Sequence, residues 1–203
     1  MSERPEQLWL GAPVVLASRS AGRARILRNA GVPFTVHPAD IDERTLEIGV
    51  AHDELALKLA QDKARHVSRE HPSAIVLGAD QTLTIAGALL HKPGAMGQAR
   101  DQLLSMRGRS HTLTSALAVA RDGEILFRHR ETATIIMRRF SERTLDAYLA
   151  AMGDRALASV GCYEIEGLGT HLIARIDGDW FTIVGLPILP FLAYCRKHGL
   201  LRD

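Results

Sequence analysis

The stretch VLGADQTL, residues 76–83, sets an acid and an amide side by side at Asp80 and Gln81, straight after a run of buried-type apolar residues. An ionised carboxylate at the end of an interior strand loses hydration, so it needs a cation, a metal ion or several N–H donors. Capping a turn or pairing with an arginine is the ordinary use of such a group. Two lysines could instead make it part of a charged site. Lys63 falls on the apolar stripe Ala56, Leu59, Ala60 and Val67 of a helix read over 52–70. From there it either runs its stem out to water or points into a polar cleft at the edge of the core. Lys92-Pro93 follows the hairpin-like TLTIAGALLH, which can return it to the side of Asp80. The chain holds only four lysines against 21 arginines, and the two differ where a compact point charge is wanted rather than a planar fork.

A second polar cluster closes the apolar run VVLA at Ser18-Arg19-Ser20, where a helix begins. The free N–H groups and partial positive charge of a helix N-terminus favour phosphate or carboxylate, and Arg23 on the first turn strengthens that preference. The plainer alternative is that Ser20 only caps the helix. The acidic run DIDE supplies Asp40, Asp42 and Glu43. Alone it reads as a solvated loop; beside a phosphate site its carboxylates would hold a hard divalent ion. In YEIEGLGTHL, alternation puts Tyr163 and Ile165 on one face and Glu164 and Glu166 on the other, as in any half-exposed strand.

The elements that must position these groups follow from pattern. VVLAS and AIVLG read as buried strands. Helices are predicted over SRSAGRARILRNAG, ending at Gly31, over HDELALKLAQDKARHVSREHP, stopped by Pro72, and over GQARDQLLSMRG. SERTLDAYLAAMG reads as a helix with Ser141 as N-cap, and GLPILPFLAYCRKHG as a last one. PFTVHPADIDERT is extended and opens into the acidic loop. One hairpin is expected about Asp122-Gly123 and another about Asp177-Gly178-Asp179. The fold class is therefore α/β, a mixed twisted sheet flanked by helices. In open α/β sheets, ligands bind beyond the carboxyl ends of strands, where both polar clusters lie.

At 203 residues, 46% hydrophobic and 24% charged, the chain is ample for a real core. A formal net charge of +2 is too balanced to argue for nucleic acid or membrane. No apolar run approaches a membrane span, the charged N-terminus lacks a secretion signal's apolar core, and Cys162 and Cys195 show no metal spacing. These features predict a cytoplasmic protein without nucleic-acid or membrane partners. Arg138-Arg139 and Arg107-Arg109 lack aromatic platforms and read as solvated ends of elements.

LASRSAGRARIL, the DIDE loop, QDKA, LGADQTL, HKP, YEIEGLG and VGLP stand in the order and spacing of the Maf family, which the chain resembles from about Val14 to Gly199. Members are nucleoside triphosphate pyrophosphatases, also called septum formation inhibitors. The resemblance implies one Maf-like domain over residues 1–203, with 1–12 a flexible extension. It also implies two lobes around a central cleft (Maf/ITPase-like), a homodimer, and metal-dependent (Mg²⁺ or Mn²⁺) hydrolysis of a nucleoside triphosphate to monophosphate and pyrophosphate. Asp80 then matches the proton acceptor, which also binds metal. Ser18, Arg23, Lys63 and Lys92 match the positions around the triphosphate, Glu43 a metal-associated acid, and Gln81 and Glu166 positions that select the base. Where many members carry Ser-Pro-Arg-Arg or Ser-Pro-Trp-Arg, this chain has Ser20-Ala21-Gly22-Arg23. Gln81 and Glu166 resemble the branch acting on 7-methyl-GTP rather than the dTTP/UTP branch, and a carboxylate suits the paired N–H donors of a guanine edge. A nucleotide-binding regulator of cell division without catalysis is the competing expectation.

Overall fold

The computed structural model describes residues 8–43 and 47–203. Strands β1 (Val14–Leu16), β2 (Phe34–Val36), β3 (Val76–Ile85), β4 (Ala88–Leu90), β5 (Ser110–Arg121), β6 (Glu124–Met137) and β7 (Ile173–Asp177) form one mixed sheet. Its order is β2-β1-β3-β5-β6-β7, with β4 paired to β3. The helices are α1 (Ala21–Asn29), α2 (His52–Glu70), α3 (Met96–Met106), α4 (Glu142–Met152), α5 (Trp180–Val184) and α6 (Ile188–Lys197). β1 runs parallel to both β2 and β3, whereas β4 and β7 pair antiparallel with β3 and β6. The mixed α/β sheet expected from pattern is present. None of the described helices is long and apolar enough to cross a membrane.

The chain divides into two compact units. Among the described residues, the first comprises those up to Asp80 with 116–130 and 185–203, and the second residues 81–115 and 131–184. The first has small-residue packing at its centre: Ala56, Ala60 and Ala64 of α2 join Ala116, Ala118 and Ala120 of β5, and Val15, Ala17, Val67 and Val76 form a second cluster. The second unit packs larger side chains, among them Leu103, Met106, Ile135, Met137, Leu145 and Phe140. There His111 is buried, its Nε2 2.7 Å from the Tyr163 hydroxyl, and burial pushes the imidazole down to about 4.

Local chemistry explains most boundaries. Ser20 and Ser141 cap α1 and α4, accepting from the backbone N–H groups of Arg23 and Thr144. Asp122 and Gly123 both have positive φ, at 49° and 80°, the type I′ geometry that joins β5 to β6. Within the expected extension over residues 1–12, residues 1–7 lie outside the described residues, while Trp9 is buried and bridges Leu201.

Three expectations need correction. β3 does not end at Asp80 but continues to Ile85, because the β4 hairpin extends its ladder. The expected hairpin about residues 177–179 is β7 followed by α5: the Asp179 carboxylate accepts from the Thr182 N–H at 3.0 Å and caps a helix instead of closing a turn. YEIEGLG is no strand, since the Gly167 and Gly169 N–H groups both donate to the Glu164 carbonyl at 3.1 Å and curl the segment. Burial still alternates there, with Tyr163 and Ile165 buried and Glu166 exposed.

The close seat of α2 on β3 rests on Gly78, where an added Cβ would stand 2.2 Å from the Ala60 carbonyl oxygen and 2.7 Å from the Ala64 nitrogen. Gly78→Ala is expected to destabilise the protein by roughly 2–3 kcal/mol in urea unfolding, since both neighbours are backbone atoms that cannot swing aside. For His111, the folded value lies below the ordinary 6.5, so its contribution is complete above about pH 6.5 and is lost as pH falls towards 4. Between pH 6.5 and 4.5, urea unfolding should lose about 2 kcal/mol more in wild type than in His111→Gln.

Candidate active site

Asp80 sits in the middle of β3 with 7% of its surface exposed. Strand alternation turns it to the side on which α2 packs, and α2 supplies Lys63, 8% exposed on the buried stripe with Leu59, Ala60 and Val67. The Lys63 ammonium donates to Asp80 Oδ1 at 2.5 Å and pairs with Glu43 Oε1 at 2.7 Å. Of the two courses open to a lysine on that stripe, the stem stays inside and the charge meets two acids. Glu43 is half-exposed, so the trio reaches from the interior to water.

The first turn of α1 adds a second cation. Arg23 is buried, and its guanidinium spans three acceptors: Nε donates to the Gly185 carbonyl at 2.9 Å, and Nη1 to Ser18 Oγ at 3.0 Å and the Ala79 carbonyl at 2.8 Å. Ser18 Oγ also accepts from the Ser20 N–H at 3.2 Å. Burial lowers the Arg23 pKa, opposed by the charges of Asp80 and Glu43. Ser18, Arg23, Glu43, Lys63 and Asp80 thus converge within the first unit. Two cations and two carboxylates, all but one buried, could bind a polyanion and take up a proton from water.

The remaining expected residues belong to the second unit. Gln81, on the opposite face of β3 from Asp80, donates from Nε2 to Ser115 Oγ at 2.9 Å and to the Thr182 and Ile183 carbonyls at 3.0 Å. The Ser115 hydroxyl donates in turn to the Thr182 carbonyl at 2.7 Å. Lys92 follows β4 and is exposed, as is Glu166. Sequence reasoning did not find Gly185, whose carbonyl anchors Arg23. VGLP was visible as a motif, but a backbone acceptor leaves no side-chain signal. Ser115, in the middle of an apolar strand, gave no signal either.

The donor set around Asp80 suits a divalent cation. Asp80 and Glu43 already share a cation in the Lys63 ammonium, and carboxylate oxygens are the ligands hard divalent ions take.

The Maf-like protein family model matches residues 13–198. A nucleoside triphosphate pyrophosphatase of Nitrobacter winogradskyi is 48% identical over 96% of this chain and 98% of its own length. Proteins named 7-methyl-GTP pyrophosphatase, from Mesorhizobium japonicum and Brucella suis, are 47% and 46% identical, over 92% and 91% of this chain and 96% of each relative. A more distant likeness is to the solved HAM1 protein of Coxiella burnetii, with a TM-score of 0.46 and 17% identity over 63% of this chain and 74% of that one. With the family model and the near-full-length relatives in agreement, the chain belongs to the Maf family.

Proposed function

We propose that this protein hydrolyses a nucleoside triphosphate to the monophosphate and pyrophosphate at the cluster around Asp80. The observation that carries the reading is the buried Lys63–Asp80 pair, shared with Glu43 and overlooked by Arg23. A neutral fold gains nothing from burying so many charges in one place, because desolvation offsets the attraction. A polyanionic substrate does gain from it. The near-full-length relatives named as pyrophosphatases favour turnover over a non-catalytic division regulator.

In this reading, water attacks the α-phosphorus, the bond to the bridging oxygen breaks and pyrophosphate leaves. Asp80 accepts the proton of the attacking water. Lys63 and Arg23 offset charge gathering on the phosphate oxygens; Arg23 does so through its field, with Nε and Nη1 committed to Gly185, Ser18 and Ala79. Asp80 and Glu43 would hold Mg²⁺ or Mn²⁺, whose charge neutralises the phosphate oxygens. Lys63 is then the group that exchanges partners, passing from carboxylates to phosphate. Ser18 completes the phosphate surroundings within the first unit, and the phosphate role of Lys92 rests on the family resemblance alone. Two further proposals are that the enzyme is a homodimer, which rests on the family resemblance, and that it is cytoplasmic, which rests on its cysteine usage and balanced composition.

For the base, Gln81 and Glu166 support a guanine-type or 7-methylated purine nucleotide, since a carboxylate accepts from two adjacent N–H donors. Relatives under both names stand at nearly equal identity, so overall similarity does not choose between them.

With Mg²⁺ or Mn²⁺ and a panel of canonical and methylated triphosphates, Asp80→Asn is expected to lose about 10²–10⁴-fold in kcat with KM little changed. Turnover comparable to wild type would remove Asp80 from the chemistry. In the same panel, Glu166→Gln should change the kcat/KM ratio of 7-methyl-GTP to UTP by roughly tenfold or more while sparing pyrophosphate release from the best substrate. An unmoved ratio would remove Glu166 from base selection.

A further inference from the structure

Away from Asp80, the first unit gathers a second set of ligand-bearing side chains. α2 ends at Glu70, His71 follows as its C-cap, and His37 leaves the end of β2. His71 Nε2 lies 3.1 Å from His37 Nδ1, with the two rings edge to face at 77° and 4.8 Å between centroids. One nitrogen from each imidazole and a Glu70 carboxylate oxygen all lie within 4.8 Å of one another. Both backbones are pinned: the His37 N–H donates to the Leu16 carbonyl and the His71 N–H to the Val67 carbonyl, each at 3.1 Å.

We infer that His37 Nδ1 and His71 Nε2 form a binding site for a borderline divalent metal ion, zinc being the type case, with Glu70 as the residue that orients His37. Two imidazole nitrogens on one tetrahedral zinc stand about 3.3 Å apart, given bonds of about 2.0–2.1 Å. At the observed 3.1 Å the two nitrogens share a hydrogen bond; a metal ion would replace that proton, which leaves His71 Nε2, and only a small side-chain adjustment separates the two spacings. Glu70 Oε2 lies 2.8 Å from His37 Nε2. Accepting the proton there leaves the Nδ1 lone pair facing His71, the carboxylate–imidazole arrangement that supports metal-bound histidines. The other Glu70 oxygen, Oε1, is 3.4 Å from His66 Nε2, which steadies the carboxylate from its second side. The His37 and Glu70 side chains are each nearly half exposed, so an ion can enter from water.

The donor type separates this site from the one around Asp80. Imidazole nitrogens suit zinc, nickel and copper, whereas Mg²⁺ and Mn²⁺ take carboxylate oxygens. A metal here would join the chain just after β2, six residues before Glu43, to the end of the helix that carries Lys63. It would therefore tether both members of that ion pair from one side.

The test is a zinc titration of the full chain, stripped of metal and held in excess Mg²⁺, against a chromophoric zinc indicator. One zinc per chain is expected, with a dissociation constant on the order of 10 μM. His37→Ala and His71→Ala should each weaken it at least tenfold, Glu70→Gln by a smaller factor, and Asp80→Asn should leave it unchanged. In parallel, zinc should raise the Tm of wild type and not of His71→Gln, each melt being compared with its own metal-free sample. Zinc uptake no tighter than millimolar, or histidine variants that bind as wild type does, would overturn the inference. Loss of the zinc in Asp80→Asn alone would also overturn it, by assigning the ion to the acidic cluster.

Discussion

An ammonium group held between two carboxylates is the constraint on which the first unit is built. Asp80 lies inside a strand, where an unpaired charge would cost several kcal/mol, and removing one member of such a buried pair is strongly destabilising. Lys63 can reach it only because α2 lies almost against β3, and α2 can lie there only because Gly78 meets Ala60 and Ala64 with no side chain between. The small-residue packing of this unit is therefore a consequence of the charge chemistry it has to seat. Arg23 depends on the same acids: burial lowers its pKa, and Asp80 and Glu43 hold it up. None of the three buried groups is stable in isolation, which ties their positions together.

Much of this could be read from residue types. The 3.6-residue period of 52–70 placed Lys63 on the buried stripe, and the serines at 20 and 141 and the turn at Asp122-Gly123 marked element ends by their own hydrogen-bonding chemistry. The period left open whether Lys63 ran outward or inward, since a stripe position is compatible with both; only the partner across the gap decides it. The errors have one source. Asp177-Gly178-Asp179 carries the composition of a hairpin turn, yet Asp179 finds the Thr182 N–H three residues on and starts a helix. YEIEGLG alternates as a strand does, yet two glycine N–H groups share the Glu164 carbonyl and no strand forms. Composition names the available hydrogen bonds, and tertiary packing chooses among them.

The same limit applies to the site. Asp80, Lys63, Glu43, Arg23 and Ser18 were visible because charged or hydroxyl side chains are conspicuous against an apolar run. The carbonyls of Ala79 and Gly185, which fix the guanidinium of Arg23, are identical in type to every other carbonyl of the chain. Ser115 reads as one more hydroxyl beside Thr112 and Thr114 in β5, and its role as the hydroxyl between Gln81 and the Thr182 carbonyl exists only once β3 and α5 are placed. Groups that orient are harder to find in a sequence than groups that react.

Adjacent residues on a strand face opposite ways, and at Asp80-Gln81 that elementary fact divides the chemistry. Asp80 turns into a set of full charges, where the energies are large and depend on what other ions are present. Gln81 turns into neutral donors and acceptors, where energies are smaller but direction matters more. The first kind of environment suits phosphate, which every nucleotide shares; the second suits a base edge, by which nucleotides differ. Because one peptide unit joins the two residues, a shift of β3 along its ladder would move both environments at once. The parallel pairing of Val15 and Leu16 of β1 with Val76 and Leu77 guards against that shift, so the register set at the start of the strand places Asp80 and Gln81 alike.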